Sequence, residues 1–152
     1  MKKVNVSFKQ NRDLDSIDVV FAASEKDEEV ISLMNRISDP LAGTLIVYDA
    51  DGGRVTLPED RIISISSGNK KLAICAEDGT YELRMSMQDA EELLNPFIFM
   101  RISRYEIINL GKVRRFDFSV TGTLRVEMEG GTETWASRRL IPAIRSRLAG
   151  GQ

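Results

Sequence analysis

Three short basic stretches hold the residues best suited to chemistry in this chain. The first is Ser103-Arg104-Tyr105, set between the apolar runs Ile98–Ile102 and Glu106–Leu110. A loop held between two buried strands is rigid, so it presents a guanidinium with little ordering cost. Arg104 can fork to guanine O6 and N7, and Ser103 can donate to a phosphate. The second is Ser137-Arg138-Arg139, at the start of a predicted helix. Free N–H groups at a helix start attract anions, and adjacent arginines reinforce them. The third is Gly68-Asn69-Lys70-Lys71, a basic hairpin tip that can reach a groove or a phosphate. The plain alternative at each place is a solvated polar turn or an ordinary helix cap.

Other chemistry has less to work with. The chain has no histidine and one cysteine, Cys75. That removes Ser-His-Asp and Cys-His nucleophiles, imidazole metal sites, and zinc sites built from thiolates of one chain. Asp, Glu, Lys and Tyr can still serve acid–base chemistry. The acidic groups Asp13, Asp15 and Asp18, or Asp49 and Asp51, invite comparison with Ca²⁺ loops. However, Asp60 stands where the glutamate closing such a loop belongs, so no metal is expected. Cys75 reads as strand packing, and Trp135 as core rather than a stacking surface.

Net charge is −2 overall but unevenly spread. Residues 1–96 carry 11 basic and 18 acidic side chains, a net of −7; residues 97–152 carry 10 and 5, a net of +5. Nine of those ten cations are arginine and the tenth is Lys112. This asymmetry points to a polyanion on the basic half, with solvation of strand and helix faces as the alternative.

These residues need elements to hold them. A length of 152 residues suits one domain with a small satellite. No apolar run approaches the ~20 residues of a membrane span. The start Met1-Lys2-Lys3-Val4-Asn5 leads into no secretory apolar region, and a lone cysteine makes a cytoplasmic setting the default. Residues 1–40 read as a β-β-α head. Its strands are Lys3–Phe8, with Val4, Val6 and Phe8 alternating, and Asp18–Ala23. Its helix is capped by Ser24, carries Val30, Leu33, Met34 and Ile37, and ends at Asp39-Pro40.

From Thr44 the pattern is of short strands. They run Thr44–Tyr48, Arg54–Leu57, Arg61–Ser66 and Lys71–Ala76, then past Asp78-Gly79 into Tyr81, Leu83 and Met85. Ser86 opens a short helix with Ala90, Leu93 and Leu94 inward. Further strands follow at Phe97–Ile102, Glu106–Leu110, Val113–Val120, Leu124–Met128 and Thr132–Ala136. Ser137 then caps a final helix, Arg138–Leu148.

The basic half carries a family resemblance. Phe99-x-Arg101-x-Ser103-Arg104-x-x-Ile107-Ile108-Asn109-Leu110 resembles the central signature of LytTR-type DNA-binding domains. Gly131 through Ser137-Arg138-Arg139-Leu140 resembles that family's closing turn and its step into the last helix. Ile63-Ser64-Ile65, the turn Asn69-Lys70-Lys71, and Tyr81-Glu82-Leu83-Arg84 look like its first hairpin. The likeness spans residues of about 44–148.

It implies a mostly β (α+β) fold: a multi-stranded antiparallel β domain with short helices over residues 41–150, preceded by the head. It also implies that loops, not a recognition helix, enter successive major grooves of double-stranded DNA. The matching positions are Lys70, Lys71, Arg101, Ser103, Arg104, Ser137, Arg138 and Arg139. The contact loop departs from the family's usual His or Asn, so no base preference carries over. The head is too short for a receiver domain. The chain is similar to stand-alone LytTR regulators, bacterial relatives of response regulators. That similarity implies a small membrane-protein partner, and a head that serves as a dimerisation or regulatory element. Leu33, Met34 and Ile37 are equally able to pack on their own domain.

Two functions follow as expectations. One is a sequence-specific transcriptional regulator, acting on direct repeats or as a homodimer, with no cofactor and no small-molecule substrate. The other is an interaction module for an acidic or membrane-associated partner, without specific DNA binding. An enzyme is the reading with least support.

Overall fold

The structure, a computed structural model, describes residues 3–14, 17–39 and 42–150. Met1, Lys2, Asp15 and Pro40, which entered the reading above, lie outside the described residues. The chain divides into two compact units, Met1–Ala42 and Gly43–Gln152.

The first unit contains one helix, α1 (Glu28–Ser38). Its cap is Asp27, not Ser24. The Asp27 side chain accepts from the Val30 amide at 3.1 Å, and Glu28 and Glu29 fill the first turn. The two expected strands are not formed among the described residues of this unit. Alternation of apolar residues makes a strand only when a partner takes its backbone groups and one of its faces. Here Val6, Phe8 and Val20 are almost wholly exposed.

The second unit is built on two antiparallel sheets. Seven strands form the larger one: β1 (Thr44–Tyr48), β2 (Arg54–Pro58), β3 (Ile62–Ser67), β4 (Leu72–Ala76), β5 (Gly79–Leu83), β6 (Phe99–Ser103) and β7 (Glu106–Asn109). Their order is β2-β1-β5-β4-β3-β7-β6. The smaller sheet has order β10-β9-β8, from β8 (Val113–Asp117), β9 (Arg125–Met128) and β10 (Glu133–Trp135). Two helices complete the unit, α2 (Met87–Leu93) and α3 (Ile141–Gly150).

The period of two in a strand, shifted once on β3 by the bulge between Ile62 and Ser64, explains how one sheet serves two cores. Ile62, Ile65, Ile74, Leu83 and Ile107 join a core closed by Met87, Ala90 and Leu94 of the α2 region. Their neighbours Ile63, Ile102 and Ile108 face the other way. There they meet Leu124, Val126 and Met128 of the smaller sheet region and Ile141 and Ile144 of α3. Strand β7 is therefore buried on both faces, and its paired isoleucines supply one core each. At its end the buried Asn109 donates to the Ile62 carbonyl at 2.8 Å and accepts from the Gly111 amide at 2.8 Å.

Three side chains face a direction the sequence did not suggest. Cys75 is exposed, because Leu72, Ile74 and Ala76 take the inner face of β4. Trp135 is 57% exposed, because the inward position on β10 belongs to Thr134. Leu93 is half exposed, because Ala90 and Leu94 already fill the inner side of α2.

Candidate nucleic-acid interface

Two backbone hydrogen bonds decide how the basic loops sit. The Ser67 amide, at the root of the β3–β4 hairpin tip, donates to the Tyr105 carbonyl at 2.9 Å. The Ser137 amide donates to the Ile102 carbonyl at 2.8 Å. The Thr134 hydroxyl also donates to the Glu106 carboxylate. The β6–β7 turn thus stands between the other two basic segments and is tied to each. Three loops far apart in sequence are joined side by side.

In the middle loop, β6 and β7 shift register between Arg101 and Ser103, and the chain turns at Arg104-Tyr105. The Ser103 hydroxyl oxygen accepts from the Tyr105 amide at 3.1 Å, which leaves its proton free to donate outward. Arg104 is exposed, with its guanidinium 5.9 Å from the centre of the Tyr105 ring. Arg101 differs from both. Its guanidinium donates to the Ser103 carbonyl (3.1 Å), the Arg104 carbonyl (2.8 Å) and Glu91 (2.9 Å).

At the β3–β4 tip the two lysines have separate fates. Lys71 is paired with Glu82, which also binds Arg84 at 3.0 Å. These two cations, Lys71 first, hold the Glu82 carboxyl below the usual carboxylate range. Lys70 is exposed and sits at φ 62°, in the left-handed region. That conformation costs a side-chain-bearing residue about 1 kcal/mol or more, and glycine would adopt it freely.

The third segment departs from the expected helix cap. A 3₁₀ turn, Arg138–Leu140, precedes α3, and the Ser137 side chain makes no capping bond. Its hydroxyl oxygen is buried with no partner among the described residues. The tight turn directs the Ser137 carbonyl to the Leu140 amide at 2.9 Å, and Arg138 and Arg139 project outward from it, both exposed.

Pairing separates the cations of this unit. Arg61, Lys71, Arg84, Arg101, Lys112 and Arg125 each face a carboxylate. Arg147 donates to the carbonyls of Pro96 and Phe97 at 3.0 Å. Among the described residues Lys70, Arg104, Arg138 and Arg139 make no ion pair, and all four lie on the loop surface. Arg54, Arg114, Arg115 and Arg145 are also exposed and free of ion pairs. Arg54 lies on the edge strand β2 and Arg114 and Arg115 on the edge strand β8, where charge discourages unwanted strand pairing, and Arg145 stacks over the Phe118 ring at 4.2 Å. Sequence reasoning missed the pairs Lys71–Glu82 and Arg101–Glu91. The first lies within reach of strand register, because Lys71 precedes Leu72, which pairs Leu83. The second joins a strand to a helix and left no local signal.

The acidic turn at residues 49–53 has a structural use. The Asp49 carboxylate accepts from the amides of Asp51 and Gly53, at 3.0 and 2.8 Å. No helix among the described residues is long and apolar enough to cross a membrane.

The sequence profile of the LytTr DNA-binding domain matches residues 52–149. Over 150 residues the chain is 25% identical to an uncharacterized HTH-type transcriptional regulator of Staphylococcus aureus (strain MRSA252), covering 98% of this chain and 99% of that protein. It is equally similar to a protein of the same description from strain NCTC 8325 / PS 47. Among solved structures, a LytTr DNA-binding domain from Bacillus cereus superposes with a TM-score of 0.65 at 23% identity, over 70% of this chain and 96% of that one. The profile covers more than half of the chain and includes all three basic loops, and so the chain belongs to the LytTr DNA-binding domain family.

Proposed function

We propose that this protein is a sequence-specific transcriptional regulator that reads successive major grooves of double-stranded DNA with its three basic loops. One observation carries the reading: the loops at residues 68–71, 103–105 and 137–139 are tied side by side by the Ser67–Tyr105 and Ile102–Ser137 hydrogen bonds. Every unpaired cation on that surface belongs to a position singled out for DNA contact. Family membership and the naming of its relatives as transcriptional regulators support the same reading.

In this scheme Arg104 and Arg139 face base edges, where a fork of donors distinguishes guanine. Lys70, Arg138 and Ser103 serve the phosphates, which set position rather than sequence. Ser137, whose hydroxyl is buried, contributes its backbone tie to Ile102 instead of a contact. Lys71 has a smaller share, because Glu82 already neutralises it. Residues 1–40 form a separate element for dimerisation or regulation, and the regulator works as a homodimer.

Selection from a random duplex pool tests this. The reading expects an enriched motif bound ~10³-fold or more tighter than its scramble at physiological salt. Binding to all duplexes at the non-specific level, Kd ~10⁻⁴–10⁻⁶ M, would instead identify an interaction module. Sedimentation at micromolar concentration, with and without residues 1–40, tests the head. A mass of one chain for the full protein would remove the homodimer.

A further inference from the structure

We propose that Arg101 is a positioning residue: with Glu91 as its counter-charge, it braces the Ser103–Arg104 turn in the shape that presents Arg104 to DNA. The inference rests on the DNA-reading function above and deepens it, by assigning one of the basic positions a role other than contact.

The geometry is specific. Four consecutive carbonyls, residues 102–105, are each held by a donor from outside the turn. The Ser137 amide takes Ile102, Arg101 takes both Ser103 and Arg104, and the Ser67 amide takes Tyr105. The two supplied by Arg101 come from one planar fork, Nε at 3.1 Å and Nη2 at 2.8 Å. The remaining nitrogen, Nη1, reaches Glu91 Oε2 on α2 at 2.9 Å. All three guanidinium nitrogens are therefore already donors inside the protein, and the side chain is only 26% exposed. A lysine would offer a point charge in place of the fork, and it could not hold two carbonyls and a carboxylate in one plane.

The energetic consequence concerns preorganisation. The bulge between Arg101 and Ser103 removes regular strand pairing at the base of the turn. Without the brace the turn must be ordered on each DNA encounter, and that cost comes out of affinity. A phosphate-contacting arginine behaves differently, because it releases counterions. Each such contact contributes roughly 0.9 to the slope of log K against log salt. The brace therefore predicts lost affinity at constant salt slope.

Glu91 supplies a test of opposite sign. Glu91→Gln removes one negative charge, so bulk electrostatics alone would tighten DNA binding. The brace demands that it weaken, since the guanidinium loses its anchor. Glu91 is 48% exposed, so this change should leave folding intact even if Arg101 variants fold poorly.

The experiment uses the full chain, the duplex enriched from the random pool, a salt series, and amide hydrogen exchange across residues 102–106. Arg101→Met should weaken specific binding by about ten- to a hundredfold, the size expected for lost charge-assisted hydrogen bonds. The salt slope should match the wild type, and exchange in the turn should rise without DNA present. Glu91→Gln should weaken binding about three- to tenfold. The double variant should be no worse than Arg101→Met, because the two act as one unit. A slope reduced by about one contact with unchanged exchange would make Arg101 a phosphate ligand and overturn the brace. Tighter binding by Glu91→Gln would overturn it too. If no duplex is enriched, the proposed function fails, and the exchange arm alone decides whether the brace exists.

Discussion

The loop surface and the outer face of the smaller sheet are both built around arginine, and they use it in opposite ways. On the sheet, Arg125 of β9 meets three carboxylates: Asp117 at 2.9 Å, Glu127 at 3.3 Å and Glu133 at 3.3 Å. Its register neighbours explain this, since Arg125 pairs Asp117 on one side and Trp135 on the other, with Glu127 and Glu133 paired one step along. At the loops, Lys70, Arg104, Arg138 and Arg139 have no carboxylate. The excess of five positive charges in residues 97–152 is thus no measure of the positive surface. What attracts a polyanion is the subset of cations that the fold leaves unpaired. It also explains how a chain of net charge −2 can present a basic face.

The largest expected effect tests that division directly. Arg104→Ala and Arg139→Ala should each weaken binding to the enriched duplex by ~1–3 kcal/mol and relax preference at one position. Arg125→Ala should leave affinity and salt slope unchanged while lowering the melting temperature, because it strands three carboxylates on one sheet face. Titrations by fluorescence anisotropy would read all three. Equal losses from Arg125→Ala and Arg139→Ala would break the comparison, since the paired arginine would then be part of the interface.

A smaller effect sharpens it at Lys70. Lys70→Ala should weaken binding evenly across sequences and lower the salt slope by roughly 0.9, as one phosphate contact would. Lys70→Gly should do the same to binding yet stabilise the fold. Relief of the left-handed conformation is worth about 1–2 kcal/mol, and the greater unfolded freedom of glycine takes back about 0.5–1, so a gain of roughly 0–1.5 kcal/mol is expected. A lysine kept where glycine folds better is intelligible if the charge is needed there. Urea unfolding of the variant checks the gain, and a destabilised Lys70→Gly would remove the argument.

The parts of this picture that were legible in the sequence share a physical cause. Strands bounded by turn residues were readable, such as β4 and β5 about Asp78-Gly79 and β9 and β10 about Gly130-Gly131. Those turns need backbone angles that glycine adopts cheaply, and both Gly130 and Gly131 sit at positive φ. The three basic loops were readable because a loop at the end of two apolar strands has nowhere to go but the surface. What could not be read was decided by partners distant in sequence. Leu72-Ala-Ile-Cys-Ala is apolar throughout, so its inner face, and with it the exposure of Cys75, depends on which core it meets. Trp135 looked like core by type, but the neighbouring Thr134 took the inner position and Trp135 flanks Arg125. In the head, alternation at Val4, Val6 and Phe8 promised a strand, and no second strand completed it. Arg101 had the right charge and place for DNA contact, and only the fold revealed its turn toward two carbonyls and Glu91.

The smallest effect lies on the paired side of the comparison and concerns acid. The Asp117 carboxyl is held down to about 2 from an ordinary 3.8, first by hydrogen bonds from Ser119 and then by Arg125. Its folded-state pKa is depressed, so the unfolded chain takes up the proton first. The stabilisation is fully present above pH 3.8 and is lost as pH falls through about 2. Glu82 shifts in the same direction through Lys71 and Arg84, so the loop side adds a loss of the same sign. Asp117→Asn separates the two. It should lower stability at neutral pH and flatten the dependence between pH 3.8 and about 2, leaving the part owed to Glu82. Denaturant midpoints collected across that range would read it. DNA affinity at neutral pH should not change, because Asp117 and Arg125 belong to the smaller sheet and not to the three basic loops. An Asp117→Asn variant with the wild-type acid profile would mean that neither Ser119 nor Arg125 holds Asp117 in solution. Arg125 would then be left to Glu127 and Glu133, and the contrast between the two faces would weaken by one carboxylate.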